Sequence, residues 1–296
     1  MKNIALLCFL MFSLAATGQK IDRKLQTQIE TLVTGFHGTV GIYVQDLKTG
    51  RIAELNADTL FPTASVVKIP IMIGIMNRIR LGELTFHQPI TYVDTINYDP
   101  GEDVLASFKP NEKILLSKLL LLSLSLSDNN ASLLLQGLAG GGARINGVLD
   151  SLGYTVTRVN SRTPGRQALR EVYGWGVTSP REISKIMLQI EEGRLFSVDL
   201  SERMLRTLGR EYWDEEAMSS IPPNVFVATK SGAVDQTRNE VLYVNAPHPY
   251  LFSIFTKNNT DTTWQKSNEA WVLTRKLSSM LFEYYNPHYM WGGKEW

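Results

Sequence analysis

Cysteine is almost absent: Cys8 is the one thiol in 296 residues. That excludes a disulfide framework and a cysteine-based zinc site. Histidine is scarce as well. His37, His87, His248 and His288 lie far apart without ligand spacing, so neither a histidine metal site nor a histidine-based triad gains support. Neither sign of charge is in excess. Thirty Lys and Arg stand against 29 Asp and Glu, a net of +1, and a chain so balanced is not built around a nucleic-acid backbone or an anionic membrane surface. Beyond the leader no apolar run is long enough to span a bilayer. The nearest, 115–126, is interrupted by Ser117 and Lys118. Repeats and low-complexity linkers are missing too. What is present is 44% hydrophobic and 20% charged, an ordinary globular composition for one large or two modest domains.

Residues 1–18 read as an export signal. Lys2 supplies the positive start, Ile4 to Leu14 the short apolar run, and Ala15-Ala16-Thr17-Gly18 the small residues before cleavage at Gln19. A lipoprotein anchor on Cys8 is disfavoured, because Cys8 sits inside the apolar run. Without the leader the chain has 29 basic and 29 acidic residues and no cysteine. The expectation is an exported protein, periplasmic or secreted, with no membrane span.

Apolar spacing predicts a helix over 22–36 and a hairpin over 38–56, with Lys48-Thr49-Gly50 at its turn. A buried helix is expected from Ser65 to Arg80, broken at Pro70. Two helical pieces are expected across Leu116–Gln136, parted at Ser127-Asp128-Asn129. Another helix follows Gly140-Gly141-Gly142. Residues 153–180 read as loop, and Ser179 caps a helix through Glu192. Strand patterns return after Pro222-Pro223 in 224–232, 240–245 and 250–258, before a final helix from about Thr263 to Tyr285. Strands at both ends and helices between predict an α/β (α+β) fold. Its sheet domain is built from 19–60 and 208–296, and a mainly helical domain, 61–207, is inserted.

Ser65-Val66-Val67-Lys68 is the one Ser-x-x-Lys in the chain. On a helix these positions share a face, so an amine meets a hydroxyl. Serine needs a base to become a nucleophile, and lysine serves only if burial or another cation lowers its pKa. Taken alone, a surface serine and lysine one turn apart is the commoner origin of such a match. Ser127-Asp128-Asn129 places a hydroxyl, a carboxylate and an amide in a helix break; alone it reads more readily as a turn with a helix cap. Lys230-Ser231-Gly232 brings a cation, a hydroxyl and a glycine onto a strand where a ligand can approach the backbone. Lys48-Thr49-Gly50 imitates it but belongs to a turn.

The three motifs occur in this order, 62 and 103 residues apart. Together they resemble those of the class A β-lactamases and the related penicillin-binding proteins. The resemblance extends over nearly the whole chain after the leader. It includes the leading helix and hairpin, Ser127-Asp128-Asn129-Asn130-Ala131, the Thr178-Ser179-Pro180 helix start and the terminal helix. It implies a β-lactamase-like fold in which an antiparallel sheet is flanked by helices. It also implies Ser65 as the acylated nucleophile, Lys68 as its base, and Ser127 as the proton donor to the leaving nitrogen. Asn129 would bind the substrate's acylamide. Lys230 would depress the pKa of Lys68 and Ser127, and Ser231 would hold the substrate carboxylate. The N–H groups of Ser65 and Ala233 would form the oxyanion hole. Arg238 is a candidate carboxylate partner, with a solvated strand arginine as the equal alternative. No metal or cofactor is implied, and a monomer acting on a small-molecule substrate, a β-lactam or a cell-wall-like peptide or ester, is expected.

One departure stands out. Class A enzymes carry a glutamate in the loop before the Thr-Ser-Pro-like helix start. Here that loop reads Asn160-Ser161-Arg162-Thr163-Pro164-Gly165-Arg166-Gln167, and Thr163 falls at the glutamate's place. A threonine cannot take the deacylating water's proton. Gln167, able to orient a water, and Glu171, eight residues after Thr163, are the remaining candidates. The resemblance therefore implies a serine hydrolase that opens β-lactams and releases the product slowly. Its rivals are an esterase or cell-wall peptidase of the same fold, and a sensor that acylates and stops.

Overall fold

The structure, a computed structural model, describes residues 19–93, 103–209 and 211–290. The expected export signal, Cys8 included, lies outside the described residues. Helix α1 (Arg23–Leu32) starts at Asp22, whose side chain accepts the Leu25 N–H, and buries Leu25 and Ile29. Strands β1 (Thr39–Asp46) and β2 (Ile52–Leu55) form the hairpin. Asp46 accepts from the N–H groups of Lys48 and Thr49 and from the Thr49 hydroxyl. Lys48-Thr49-Gly50 is therefore a side-chain-stabilised turn.

The middle of the chain begins with β3 (Phe61–Pro62), a 3-10 turn over Ala64–Val67 and α2 (Lys68–Arg80). Pro70 does not break α2. It sits in the first turn, where N–H groups have no intrahelical partner to lose. After β4 (Pro89–Thr91) and β5 (Lys113–Leu115) come α3 (Leu116–Leu124), α4 (Asn129–Leu138) and α5 (Gly141–Ser151). The stretch read as loop contains β6 (Arg158–Val159), α6 (Gln167–Tyr173) and β7 (Gly176–Thr178). Helix α6 buries no residue, so no apolar stripe betrays it. Helix α7 (Pro180–Glu191) has Ser179 as its cap, and α8 (Val198–Thr207), unassigned from the sequence, is capped by Ser197.

Strands β8 (Phe226–Val234), β9 (Thr237–Asn245) and β10 (Tyr250–Lys257) precede α9 (Glu269–Tyr285). Helix α9 begins later than expected. Asn268 caps it by accepting from Ala270 and Trp271 N–H, while Thr263 bonds to Asp261 within a loop.

The main sheet is antiparallel with order β2-β1-β10-β9-β8. Two small sheets, β3-β7-β6 and β4-β5, lie in the inserted part. Period-2 alternation splits the main sheet's side chains. Ile42, Leu242, Phe252 and Ile254 join α1 and α9 in one core. Tyr43, Val241, Leu251 and Phe255 join α2 and α7 in the other. Both faces are thus covered, and β8 is an edge strand beside the 3-10 turn.

The second core has a tight point at Gly41. A Cβ there would lie 2.4 Å from the Phe61 ring and 2.9 Å from Pro180. Gly41→Ala is expected to destabilise the protein by about 1–3 kcal/mol, the usual cost of overpacking, read as a lower Tm with unchanged helix content.

Candidate active site

Three separate elements bring Ser65, Lys68, Ser127 and Asn129 together. Ser65 lies in the 3-10 turn that runs into α2. Positions i and i+3 eclipse in such a turn, and Lys68 Nζ comes within 3.1 Å of Ser65 Oγ. Ser127, in the break between α3 and α4, has φ of 61°. Its carbonyl and its hydroxyl both meet Lys68 Nζ, the hydroxyl at 3.0 Å, and Asn129 Oδ1 is also 3.0 Å away. Ala64, just before the serine, has φ of 45°. Two non-glycine residues in the left-handed region beside the reacting groups are strain of the kind that concentrates at active sites. Asp128 is structural: it caps α4 through Ala131 N–H at 2.7 Å and accepts Leu105 N–H at 2.8 Å.

Lys68 is fully buried, and burial drives its pKa well below the ordinary lysine value. The charge of Lys230 adds to this, against Glu211, Asp103 and Asp128. The acceptors around it suit a neutral amine. Two N–H groups satisfy the Ser127 carbonyl and Asn129 Oδ1, and the lone pair is left for a hydroxyl proton.

Strand β8 supplies the opposite wall. Lys230 stands across from Val241, on the face carrying the helical layer. Its buried ammonium touches the buried Glu211 carboxylate. The other Glu211 oxygen accepts Ser231 N–H at 2.7 Å, and Thr229 N–H donates to Leu208 O at 2.8 Å. Leu208 and Glu211 therefore occupy the free edge of β8, a backbone carbonyl at one step and a carboxylate at the next. Alternation puts the Ala233 N–H on that same edge, one step beyond Glu211. Gly232 lets this edge close on the nucleophile: a Cβ there would lie 2.7 Å from Ser65 N and 2.8 Å from Thr63 O. Two backbone donors thus flank the nucleophile.

A cleft of about 560 Å³ opens over Ser65 and Ser127. Ser231, Gly232, Ala233, Asn239 and Glu240 line it from the sheet, and Trp213, Glu215, Glu216, Trp264, Lys266, Trp271 and Thr274 complete it.

A model of the β-lactamase enzyme family matches residues 24–285. The chain belongs to that family. It is similar to a β-lactamase from Chitinophaga pinensis at 19% identity and a TM-score of 0.79, covering 89% of this chain and 100% of that one. It is likewise similar to PBP-A, at 24% identity and 0.78 over 91% of this chain and 98% of that one. These likenesses establish the fold. A stretch of 94 residues is 38% identical to the "Beta-lactamase regulatory protein BlaB" of Streptomyces cacaoi, covering 32% of this chain and 30% of that protein. The chain thus has the fold of a β-lactamase-family serine hydrolase, and no helix among the described residues is long and apolar enough to cross a membrane.

The loop candidates lie outside the lining of the cleft. Thr163 is buried, donates to Ser161 O at 3.0 Å and lies against Gly142 of α5. Gln167 and Glu171 are exposed on α6, and none of the three lines the cleft. Arg238 is not a solvated strand arginine either. It is 1% exposed, with its guanidinium 4.6 and 4.8 Å from the ring centres of Trp264 and Trp271. It donates to the carbonyls of Asp235, Thr237 and Thr263 at 2.9, 2.8 and 3.1 Å. Indole faces and carbonyls replace its water, and the arginine backs two walls of the cleft.

The residues that sequence reasoning missed are mostly acids. Glu211 and Asp103, which accepts Asn129 and Asn130 N–H at 3.0 and 2.9 Å, carry no local signal. Glu240 did carry one, as an acid opening a strand that is buried on both faces. It stands opposite Ser231 and accepts from Ala217 N–H and the Thr229 hydroxyl. Burial, then the nearby Glu211 charge, pushes its pKa up from 4.5 to about 8. The folded protein therefore keeps a proton that the unfolded chain releases. The stability this proton confers is complete below the unfolded value and lost as pH rises through about 8. Glu240→Gln, neutral at every pH, should gain Tm relative to wild type as pH is raised from about 5 to about 9. Parallel Tm–pH curves for the two proteins would contradict this.

Proposed function

We propose that the protein acylates Ser65 with a β-lactam or a related cell-wall-like amide or ester, and that release of the acyl group is slow. The observation that carries this reading is the Lys68 amine, held at hydrogen-bond distance from both Ser65 Oγ and Ser127 Oγ. The neutral amine takes the Ser65 proton as Oγ attacks the carbonyl carbon. The carbonyl oxygen, now negative, accepts from the N–H groups of Ser65 and Ala233, donors of a kind worth about 10²–10³ in rate each. Collapse breaks the C–N bond. The Lys68 ammonium returns a proton through the Ser127 hydroxyl to the leaving nitrogen, and the amine is restored. Nothing is consumed except the substrate bond. Asn129, as in the family resemblance, is assigned to the substrate's acylamide and Ser231 to its carboxylate.

Deacylation needs a second base, aimed at water. Thr163 is turned into α5, and Gln167 and Glu171 face solvent. A missing general base costs about 10²–10⁴ in rate, which supports an ester that persists. A PBP-A variant of the same fold was solved as an acyl-enzyme complex with penicillin G, in keeping with this reading. The partial likeness to a β-lactamase regulatory protein favours a second reading, a sensor whose acylated form is the signal. Export to the periplasm or exterior, on the strength of the leader sequence, places either activity where such substrates are met.

Intact-mass spectrometry after penicillin treatment should show one adduct on Ser65 that lasts minutes or longer, with a product burst equal to the enzyme concentration. Ser65→Ala should give no adduct, and Lys68→Ala should slow its formation at least ~10²-fold. Rapid steady turnover without an adduct would reveal an efficient deacylation base. Labelling of the Ser65→Ala protein would refute the nucleophile.

A further inference from the structure

Lys68 and Lys230 are both fully buried, and the charge of Lys230 acts on Lys68; two such ammonium groups cannot both stay charged at low cost away from water. Which of them yields its proton depends on their partners. Lys68 meets only neutral groups directly: the hydroxyls of Ser65 and Ser127, the Ser127 carbonyl and the Asn129 amide. The nearest acids of the helical layer, Asp103 and Asp128, spend their oxygens on backbone N–H groups. Lys230 instead touches a carboxylate, Glu211, and both side chains are fully buried. Glu211 is fixed from three directions. Its second oxygen holds Ser231 N–H. Just before it, Gly209 bridges to Ala228, and just after it, Tyr212 N–H and Trp213 Nε1–H donate to the carbonyls of Ser125 and Leu126 at 3.0 Å each. Glu240, on β9 opposite Ser231, feels the Glu211 charge from the next strand.

We propose that Glu211 is a positioning residue: it holds Lys230 as the charged member of the lysine pair and so leaves Lys68 as the amine that receives the Ser65 proton. Its backbone contacts tie that choice to the edge of β8, so the same carboxylate seats the strand that offers Ala233 N–H and fixes the charge behind it. The inference rests on the reading of Lys68 as the base in acylation.

The test is the pH dependence of the acylation rate constant with a penicillin or a fluorophosphonate. In Glu211→Gln the Lys230 ammonium loses its counter-ion and gives up its proton more readily. Labelling should then fall on the alkaline side, at least about one pH unit below any such fall in wild type. Adding Lys230→Arg should remove the new limb, because a guanidinium stays charged. A Glu211→Gln profile of wild-type shape, merely scaled down, would overturn the proposal. Titration of the wild-type lysines by NMR of their side-chain Cε and Nζ needs no variant and holds even if Glu211→Gln does not fold. Lys230 should remain charged to higher pH than Lys68, and the reverse order overturns the assignment. If that order is found and yet no reagent acylates Ser65, the proposed function fails while the role of Glu211 stands.

Discussion

The active site depends on one amine taken out of water. Lys68 is fully buried, yet its nitrogen is surrounded by four oxygens drawn from the 3-10 turn, the α3–α4 break and the first residue of α4. Burying a polar group costs unless every hydrogen-bonding position is met, and here the partners come from two distant pieces of chain, Ser65 in one and Ser127 with Asn129 in the other. The amine is therefore a structural clamp as well as a chemical group. The left-handed residues Ala64 and Ser127 are tolerated because the clamp over-determines them.

The proposed acylation of Ser65 also needs a place for the charge that forms on the substrate. The edge of β8 provides it. An edge strand offers alternate N–H groups to whatever lies beside it. Leu208 and Glu211 cover two of these positions. The next position falls where Gly232 permits contact with the Ser65 backbone. On the proposed reading the oxyanion donors lie along a sheet edge, and they are preorganised because the sheet is.

Much of this was legible in the chain. Three short motifs carried the reacting groups, and their order and spacing carried the fold. Ser179 before Pro180, the turn at Lys48-Thr49-Gly50 and the long apolar strands after Pro223 all announced themselves through local chemistry. Helix α8 carried a signal too, in the cap Ser197 and the pair Leu200 and Met204, whereas α6 buries nothing and had none to give. Glu211 and Arg238 mark the other limit. A buried acid and a buried arginine are recognised by the partners that neutralise or stack on them. Those partners, Lys230 in one case and Trp264 and Trp271 in the other, are set by topology and not by sequence neighbourhood. Thr163 shows a residue type read correctly while the direction of its side chain depended on packing against α5.

The strand order has a kinetic meaning. Strand β1 pairs on one side with its hairpin partner β2 and on the other with β10, in a register running from Thr39 with Lys257 to Asp46 with Tyr250. These partners are more than 200 residues apart in the chain. Contacts of such sequence separation slow folding, because loop closure must be met before they form. The hairpin emerges early from synthesis and then has to wait, one edge open, until almost the whole chain exists. Completion of the central sheet is thus a late event, and a nascent chain that lacks β10 has no stable sheet to fold onto.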